Sequence, residues 1–286
     1  MGYLHIEQLY HNQDILLFKE CYALEKIHGT SAHITLSDGQ LTFSAGGEKH
    51  ENFIKLFSEG LKDKISQYGY NVVIYGEAYG GKCQAMSATY GKDLKFIVFD
   101  VEIADCWLTV PEADAMAKNI GLEFVHYEKI STDLSAIDAQ RDANSVQAVR
   151  NGMGEGHKRE GVVLRPLIEC VKSDGTRVIC KHKGEEFQET ATPRKVVPGA
   201  VSQVLTEANA IANEWITPIR LQHVLDKIPG HNITMMSTII AAMQEDVFRE
   251  GKGEVVDSKE ARKAISQKTV ALYKEFIKAK LYNKAE

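Results

Sequence analysis

The hydrophobic pattern of this chain changes once, after Thr192. Up to that residue, apolar residues fall mainly in short runs separated by turn residues, which is typical of β-strands. Pro193, Pro198 and Gly199 interrupt the pattern, and the residues beyond them have helical spacing. Since 286 residues suffice for two domains, we predict an α+β domain over residues 1–195 and a small all-α domain over residues 200–286.

Several elements of the first domain can be predicted individually. The alternation from Tyr22 to Leu36, followed by turn residues 37–40 and a short apolar run, predicts a β-hairpin with Lys26 near its start. Apolar runs predict strands at residues 71–77, 94–101, 161–166 and 177–183. Helical spacing predicts helices at residues 53–68 and 111–119.

Two helices of the second domain have recognisable starts. Thr217 before Pro218 suits a helix cap followed by a first-turn proline. Asp257 and Glu260 resemble a capping box before the last helix, which carries one apolar stripe from Ala261 to Ile277.

Composition narrows the class of protein. The 44% hydrophobic and 26% charged residues are typical of a soluble globular protein, and no apolar run approaches a membrane span. The first ten residues lack a basic flank followed by an apolar block, so export is not expected. Because the five cysteines form no C-x-x-C pair, we expect reduced thiols. We therefore expect the protein in the cytoplasm, or in the host cytoplasm if a phage encodes it. A monomer is a separate expectation, because composition does not determine the oligomeric state.

Three lysines suggest phosphate chemistry. A lysine has a pKa of about 10.4, so Lys26 could act as a nucleophile only where nearby cations or a metal favour its neutral form. An isolated Lys-x-x-Gly is more often a surface turn. Lys181 and Lys183 project to the same side of a predicted strand, and that spacing suits a phosphate. The alternative for this pair is an exposed strand face.

Five short motifs occur in order along the first two thirds of the chain: Lys26-Ile27-His28-Gly29, Tyr75-Gly76-Glu77, Phe96-Ile97-Val98-Phe99-Asp100, Glu160-Gly161-Val162-Val163 and Lys181-His182-Lys183. The series resembles that of the covalent nucleotidyltransferases, which include DNA ligases, RNA ligases and messenger-RNA capping enzymes. The form Glu-Lys-Ile-His-Gly-Thr most resembles the RNA ligase 2-like enzymes, which seal nicks in duplex RNA. The resemblance implies an ATP-grasp-like nucleotidyltransferase domain with antiparallel sheets, followed by a helical domain.

The resemblance also implies a role for each matched residue. Lys26 would attack the α-phosphorus of ATP and form lysyl-AMP, and Glu25 and Ile27 beside it would help to bind the nucleotide. Glu77 would hold the ribose and Phe99 would stack on adenine. Glu160 would hold Mg²⁺ or Mn²⁺, and the catalytic pair Lys181 and Lys183 would neutralise the phosphates. Without the resemblance, Phe99 reads as core and Glu77 as a solvated carboxylate, and the role of His28 stays open.

Two positions depart from the family pattern. These ligases carry an arginine that is thought to engage the nick, and the corresponding position in this chain falls near Gly46. The sealing step or its substrate could therefore differ. Lys49 could substitute by reaching in from the turn. Ser31 stands where the relatives have asparagine. Serine offers a hydroxyl at this position but lacks the amide of asparagine.

Basic residues cluster locally although the formal net charge is −5. Nine of them fall within 38 residues, namely Lys158, Arg159, Arg165, Lys172, Arg177, Lys181, Lys183, Arg194 and Lys195. Such clustering predicts a phosphate-binding face. The alternative is a set of solvated strand edges, which often carry lysine.

Together these features predict an ATP-dependent RNA ligase that joins 3′-hydroxyl and 5′-phosphate ends in repair. Its partner would be RNA, duplex or nicked, or an RNA/DNA hybrid, with no membrane. A DNA ligase or a GTP-using capping enzyme is the first alternative, although those usually append an OB-type barrel where this chain predicts helices. The second alternative is a protein with the same fold that binds RNA ends without sealing them.

Overall fold

The structure is a computed structural model that describes residues 2–69, 71–199, 205–228 and 230–282. It divides into two compact units, Met1–Gly184 and Glu185–Glu286. The first unit contains antiparallel sheets with short helices, and the described part of the second is built from helices. The predicted fold class is confirmed.

The division between the units precedes the boundary predicted at residues 195–200. Residues just after Gly184 pair with the helices that follow. Glu189 contacts Arg220 at 3.2 Å and His223 at 3.0 Å. Arg194 contacts Glu214 at 3.0 Å. The segment therefore belongs with the second unit, while Ala200 lies outside the described residues. Independent folding of two domains stays a prediction.

The first unit holds two sheets, described here by their strands. Sheet A has the order β7-β1-β8-β9 and sheet B the order β3-β2-β4-β5-β6, with every neighbouring pair antiparallel. The strands are β1 (Glu20–Lys26), β2 (Thr30–Ser37), β3 (Gln40–Ser44), β4 (Val72–Gly80), β5 (Leu94–Ile103), β6 (Cys106–Trp107), β7 (Tyr127–Ser131), β8 (Gly161–Pro166) and β9 (Cys180–Lys183).

The helices of the first unit are short, and those of the second carry its core. They are α1 (His50–Ile54), α2 (Leu61–Ser66), α3 (Ser87–Tyr90), α4 (Val110–Ile120), α5 (Leu134–Arg141) and α6 (Val146–Arg150), then α7 (Ala208–Trp215), α8 (Pro218–Asp226), α9 (Met236–Glu250) and α10 (Lys259–Tyr282). No helix in the described parts of the chain is both long and apolar enough to cross a membrane.

The predicted hairpin is correct only in its second half. β2 and β3 pair around Asp38 and Gly39, but β1 lies in the other sheet. The chain crosses between the sheets at Gly29, which lies so close to β4 that an added Cβ would be 2.3 Å from the carbonyl oxygen of Ala78. Lys26 therefore ends β1, an interior strand of sheet A, rather than beginning the hairpin.

Helix caps explain where several predicted elements begin. Thr109 and Glu112 form a capping box at α4, and Pro111 lies in its first turn. This helix confirms the one predicted at residues 111–119. Thr217 accepts a hydrogen bond from the Arg220 amide and starts α8 as predicted. At α10 the prediction is wrong, because Ser258 accepts the bond from the Ala261 amide while Asp257 pairs with Arg262.

Three other boundaries differ from the predictions. The helix expected over residues 53–68 is two short helices, α1 and α2, separated by turns. The strand expected over residues 177–183 is ordered as a strand only from Cys180, while β4 continues three residues beyond Glu77. These ends depend on which backbone groups find a neighbouring strand, and residue patterns do not specify that.

The two units have separate hydrophobic cores. In the first, Ile34 and Ile74 of sheet B pack with Val98 and with Met116 of α4. In the second, Trp215 of α7, Met243 of α9 and Ile265 of α10 meet. Burial of such large side chains contributes roughly 1.5 to 3 kcal/mol each.

Candidate active site

Three strands of sheet A bring two predicted site lysines into one row. Lys26 on β1 is paired with Gly161 on β8, and Gly161 is paired with Lys183 on β9. Neighbouring strands are about 4.8 Å apart, so long side chains from the outer two strands can meet over the middle one. Glu160 immediately precedes Gly161 and lies at the same end of the sheet.

Glu160 bridges the two lysines. Its Oε2 lies 2.8 Å from Lys26 Nζ, and its Oε1 lies 3.0 Å from Lys183 Nζ. The side chains of Glu160 and Lys183 are almost fully buried, whereas that of Lys26 is 23% exposed. Of the two ammonium groups bound to Glu160, that of Lys26 is therefore the one a ligand from solvent can reach.

Gly161 permits this close arrangement. Its φ is +151°, and an added Cβ would be 2.2 Å from the carbonyl oxygen of His182. A side chain at this position would force β8 and β9 apart. The glycine after Glu160 is thus a packing requirement of the site.

Glu77 contributes a second, partly buried carboxylate from sheet B. Burial raises its pKa from 4.5 to about 8, and the negative charge of Glu160 adds to the rise. Lys26, a hydrogen bond from the Gly29 amide and Lys183 act in the opposite direction. These electrostatic interactions link the two sheets in one charge cluster, which we define as Lys26, Glu77, Glu160 and Lys183.

Lys181 is buried on β9, two residues before Lys183 and on the same face of the strand. Its backbone is held by the N-terminal segment, because the Lys181 amide donates to the Glu7 carbonyl and the Lys181 carbonyl accepts from the Leu9 amide, each at 2.8 Å. His182 points the other way and its ring lies 2.8 Å from Asp138. Burial lowers the pKa of His182.

Phe99 lies half-buried on β5. Its ring packs edge-on against that of Tyr3, with the two ring centroids 4.8 Å apart. The Tyr3 hydroxyl donates to Asp100 at 2.6 Å. Sequence reasoning missed Tyr3, because nothing in the first ten residues indicates that they pack beside a strand a hundred residues away. The N-terminal segment therefore packs against β5 at Phe99, and stacking of Phe99 on a nucleotide stays a prediction.

The side chains of Glu25 and Ile27 do not belong to the charge cluster and have structural contacts instead. The Glu25 carboxylate accepts hydrogen bonds from the Ser145 hydroxyl and from the amides of Val146 at 3.0 Å and Gln147 at 3.3 Å. Ile27 is buried in the core of the first unit. A nucleotide contact at either position would therefore come from backbone atoms, and it stays a prediction.

Three of the nine basic residues expected to form a phosphate-binding face are instead paired inside the first unit, and a face formed by the others stays a prediction. Arg165 and Arg177 are buried on either side of Asp100, at 2.9 and 2.7 Å. Arg159 is buried too, and it donates to the Asn144 carbonyl. These guanidinium groups need internal partners because burial of an unpaired charge is costly. Sequence clustering did not reveal which basic side chains were already neutralised.

The segment at Gly46 leaves no room for the arginine that the family resemblance leads us to expect there. Gly46 has φ +59°, and an added Cβ would be 2.3 Å from the Ser31 carbonyl oxygen. The segment is fixed further by the Gly47 amide, which donates to the Thr30 hydroxyl at 3.0 Å. Ser31 and Lys49 are both exposed, and substitution of the arginine by Lys49 stays a prediction.

A divalent cation fits this site only as a partner of the nucleotide. The described residues contain no group of three His, Cys, Asp or Glu side chains that could enclose a metal ion. Glu160 and Glu77 offer carboxylate oxygens, which hard cations prefer, and magnesium typically takes its other ligands from phosphate and water. The donor set therefore fits an ion that arrives with a triphosphate.

Comparisons with known proteins show the family of this chain and the fold that it shares. The RNA ligase family profile matches residues 19–183. An apo mutant of Naegleria gruberi RNA ligase has a TM-score of 0.50 and 17% identity, over 65% of this chain and 57% of that one. A mutant of the same enzyme with ATP and Mn has a TM-score of 0.50 and 16% identity, over 65% and 56%.

At these identities the structural likeness concerns the fold alone, and this chain spans little more than half the length of those structures. No curated protein matches the chain. The family match extends from the residue before β1 to the end of β9, which is more than half of the sequence, and it includes the whole charge cluster. The chain belongs to the RNA ligase family.

Proposed function

We propose that this chain is an ATP-dependent RNA ligase that joins a 3′-hydroxyl to a 5′-phosphate through a lysyl-AMP intermediate on Lys26. One observation carries the proposal: Glu160 binds two lysines at 2.8 and 3.0 Å, and Lys26 is the more solvent-accessible of the two. Buried charges arranged in this way stabilise developing phosphoryl charge without reorganisation.

In the first step the neutral Lys26 amine attacks the α-phosphorus of ATP. A P–N bond forms, the bond to the pyrophosphate oxygen breaks, and pyrophosphate leaves with the electron pair. The Lys26 ammonium group must first give a proton to water and leave Glu160, while Lys183 stays bound to the other carboxylate oxygen. When bound, a divalent cation held by Glu160 would neutralise triphosphate charge, with Mg²⁺ or Mn²⁺ suited to the role.

The later steps return Lys26 to its starting state. A 5′-phosphate oxygen of the RNA attacks the phosphorus of lysyl-AMP, the P–N bond breaks, and an AMP-capped end forms. The 3′-hydroxyl then gives its proton to water, and its oxygen attacks the 5′-phosphate. The phosphoanhydride bond to AMP breaks, and AMP leaves with the electron pair. Lys181 and Lys183 supply fixed positive charge beside these phosphates. Duplex or nicked RNA, or an RNA/DNA hybrid, is the proposed partner.

The proposal is tested by incubating the protein with Mg²⁺ and ATP labelled at the α-phosphate, then measuring attached AMP by denaturing gel and intact mass. We expect one AMP on the wild type and none on Lys26→Ala. Lys19→Ala is the matched control, since Lys19 is exposed near the start of the same strand. The mechanism would be refuted if the Lys26→Ala protein were labelled. It would also be refuted if a wild-type protein that carries no AMP at the start took up no label.

A non-sealing protein is the second candidate, because Gly46 occupies the place of the expected arginine and has no room for a larger side chain. Supplying a nicked RNA duplex with a preformed AMP-capped 5′ end, without ATP, tests the sealing step alone. We expect a joined strand. AMP attachment without joining would favour the end-binding protein. Parallel reactions with GTP and with nicked DNA separate the capping enzyme and DNA ligase alternatives.

A further inference from the structure

Helix α10 is strongly basic for its length. Of its 24 residues, seven are basic and two are acidic. The basic residues are Lys259, Arg262, Lys263, Lys268, Lys274, Lys278 and Lys280. The acidic residues are Glu260 and Glu275. The chain as a whole has the opposite sign, at −5.

The remainder of the second unit is acidic. Residues 185–258 contain six basic and eleven acidic residues. Charge is therefore segregated within this unit, with the excess positive charge on its last helix. A solvated helix face without a binding partner would not need an excess of one charge. Mixed positive and negative side chains would keep it equally soluble with less repulsion between neighbouring lysines.

One face of α10 is buried and the opposite face carries lysines. Ala261, Ile265 and Tyr273 are fully buried in the core of the second unit. Lys263, Gln267, Lys274 and Lys278 are exposed, and we call these four residues the basic stripe. Eleven residues are about three turns of helix, so Lys263 and Lys274 lie on nearly the same line, and Lys278 follows one turn later.

The lysines of the stripe differ from the other basic residues of the helix. Arg262 pairs with Asp257, Lys268 donates to Asn213, and Lys280 lies over the Phe276 ring. Within the described residues, Lys263, Lys274 and Lys278 have no such partner. Lys274 and Lys278 stand four residues apart, a spacing at which like charges repel each other and destabilise a helix. An external anion would remove that cost.

We propose that the basic stripe binds the phosphate backbone of the RNA substrate, an inference that rests on the proposed function for the identity of the polyanion. The three ammonium groups are spread along the helix with Cα spacings of about 16 and 6 Å. Such a line of cations suits the regularly spaced charges of a nucleic acid, and it reads no sequence. A membrane is disfavoured, because the apolar side of α10 is already buried in the core.

The test compares two triple variants of the full chain. In the stripe variant, Lys263, Lys274 and Lys278 are each changed to Gln. In the control variant, Lys227, Lys252 and Lys268 are changed to Gln, which removes the same charge from the same unit. Binding to a fluorescent nicked RNA duplex is measured by anisotropy over a series of salt concentrations, with thermal melting to verify folding.

We expect the stripe variant to bind at least roughly tenfold more weakly at low salt, with the slope of log K against log salt shallower by about 2 to 3, since each lost phosphate contact removes about 0.7 to 0.9. The control variant should keep the wild-type slope. Equal slopes in a folded stripe variant and the wild type, or equal losses in the two variants, would overturn the inference.

Two further measurements separate the possible failures. AMP attachment by the wild type, which requires no RNA, reports on the proposed function. If the wild type is labelled and the stripe variant binds RNA normally, only the stripe inference fails, and a wild type that neither takes AMP nor binds RNA overturns both. Vesicles of anionic lipid are tested in parallel, and selective loss of vesicle binding with RNA binding intact would also overturn the assignment to RNA.

Discussion

Glu77 is the residue whose titration most directly reports the buried charge cluster. Its pKa is raised from 4.5 to about 8 because it is buried. The folded protein therefore keeps a proton on Glu77 at pH values where the unfolded chain has lost it. Between those two values the unfolded state binds fewer protons, so this residue makes folding less favourable as pH rises.

We expect Glu77→Gln to remove this dependence. Relative to the wild type, the variant should gain free energy of unfolding progressively from pH 5 to pH 8 and then level off, because an amide carries no charge to bury. Urea denaturation at several pH values measures the free energy of unfolding of both proteins. Glu20→Gln, on an exposed carboxylate, is the control. If both variants follow the same pH curve, Glu77 does not have a raised pKa.

Gly46 allows a second test at this scale. We expect Gly46→Ala to destabilise the protein more than Gly39→Ala. Both glycines have positive φ, at +59° and +72°, but only at Gly46 would a Cβ meet backbone, 2.3 Å from the Ser31 carbonyl oxygen. The left-handed conformation costs about 1 kcal/mol at either site, and the clash adds to it at Gly46. Equal midpoints in thermal denaturation would contradict the close packing described here.

Among the secondary-structure elements, α6 depends on a residue far away in sequence. Glu25 on β1 accepts hydrogen bonds at the N-terminus of this five-residue helix, which could not persist alone. The carboxylate also sits at the positive end of the helix dipole. β1 thereby positions α6 while its last residue, Lys26, enters the charge cluster.

We expect Glu25→Ala to lower the free energy of unfolding by about 1 to 3 kcal/mol, because buried donors lose their acceptor. Glu20→Ala removes an exposed carboxylate from the same strand and should cost less than about 1 kcal/mol. Chemical denaturation of both variants measures the difference. A Glu25→Ala protein as stable as Glu20→Ala would show that the cap contributes nothing.

Element predictions succeeded where the signals are local. The apolar run at residues 161–166 is β8, and the proline and caps at α4 and α8 are visible in the sequence. The separation of β1 from β2 was not predictable, because alternation continues through Gly29 and only contact with β4 reveals the crossing. Pattern reports which residues can form a strand, but not which sheet it joins.

At the scale of the whole molecule, all residues assigned to AMP attachment lie within Met1–Gly184. We expect a fragment of residues 1–184 to fold and take up AMP on Lys26, since its core and charge cluster are complete without the helices. Labelling with ATP measures this. A fragment of residues 1–176, which lacks β9 and both of its lysines, should not be labelled. Failure of a folded 1–184 fragment would place an essential group in the second unit.

The sequence alone determined the residue types, their order and the local elements. It therefore indicated the α+β class and the helical second unit, because periodicity is a local property of the chain. The resemblance of its motifs to those of the nucleotidyltransferases indicated the candidate residues Lys26, Glu77, Glu160 and Lys183. Tertiary structure decided which charges meet. Register across β1, β8 and β9 joins Lys26 to Glu160 and Lys183, whereas burial turns Arg165 and Arg177 inward to Asp100. Charged side chains are neutralised by partners distant in sequence, and only the fold determines those partners.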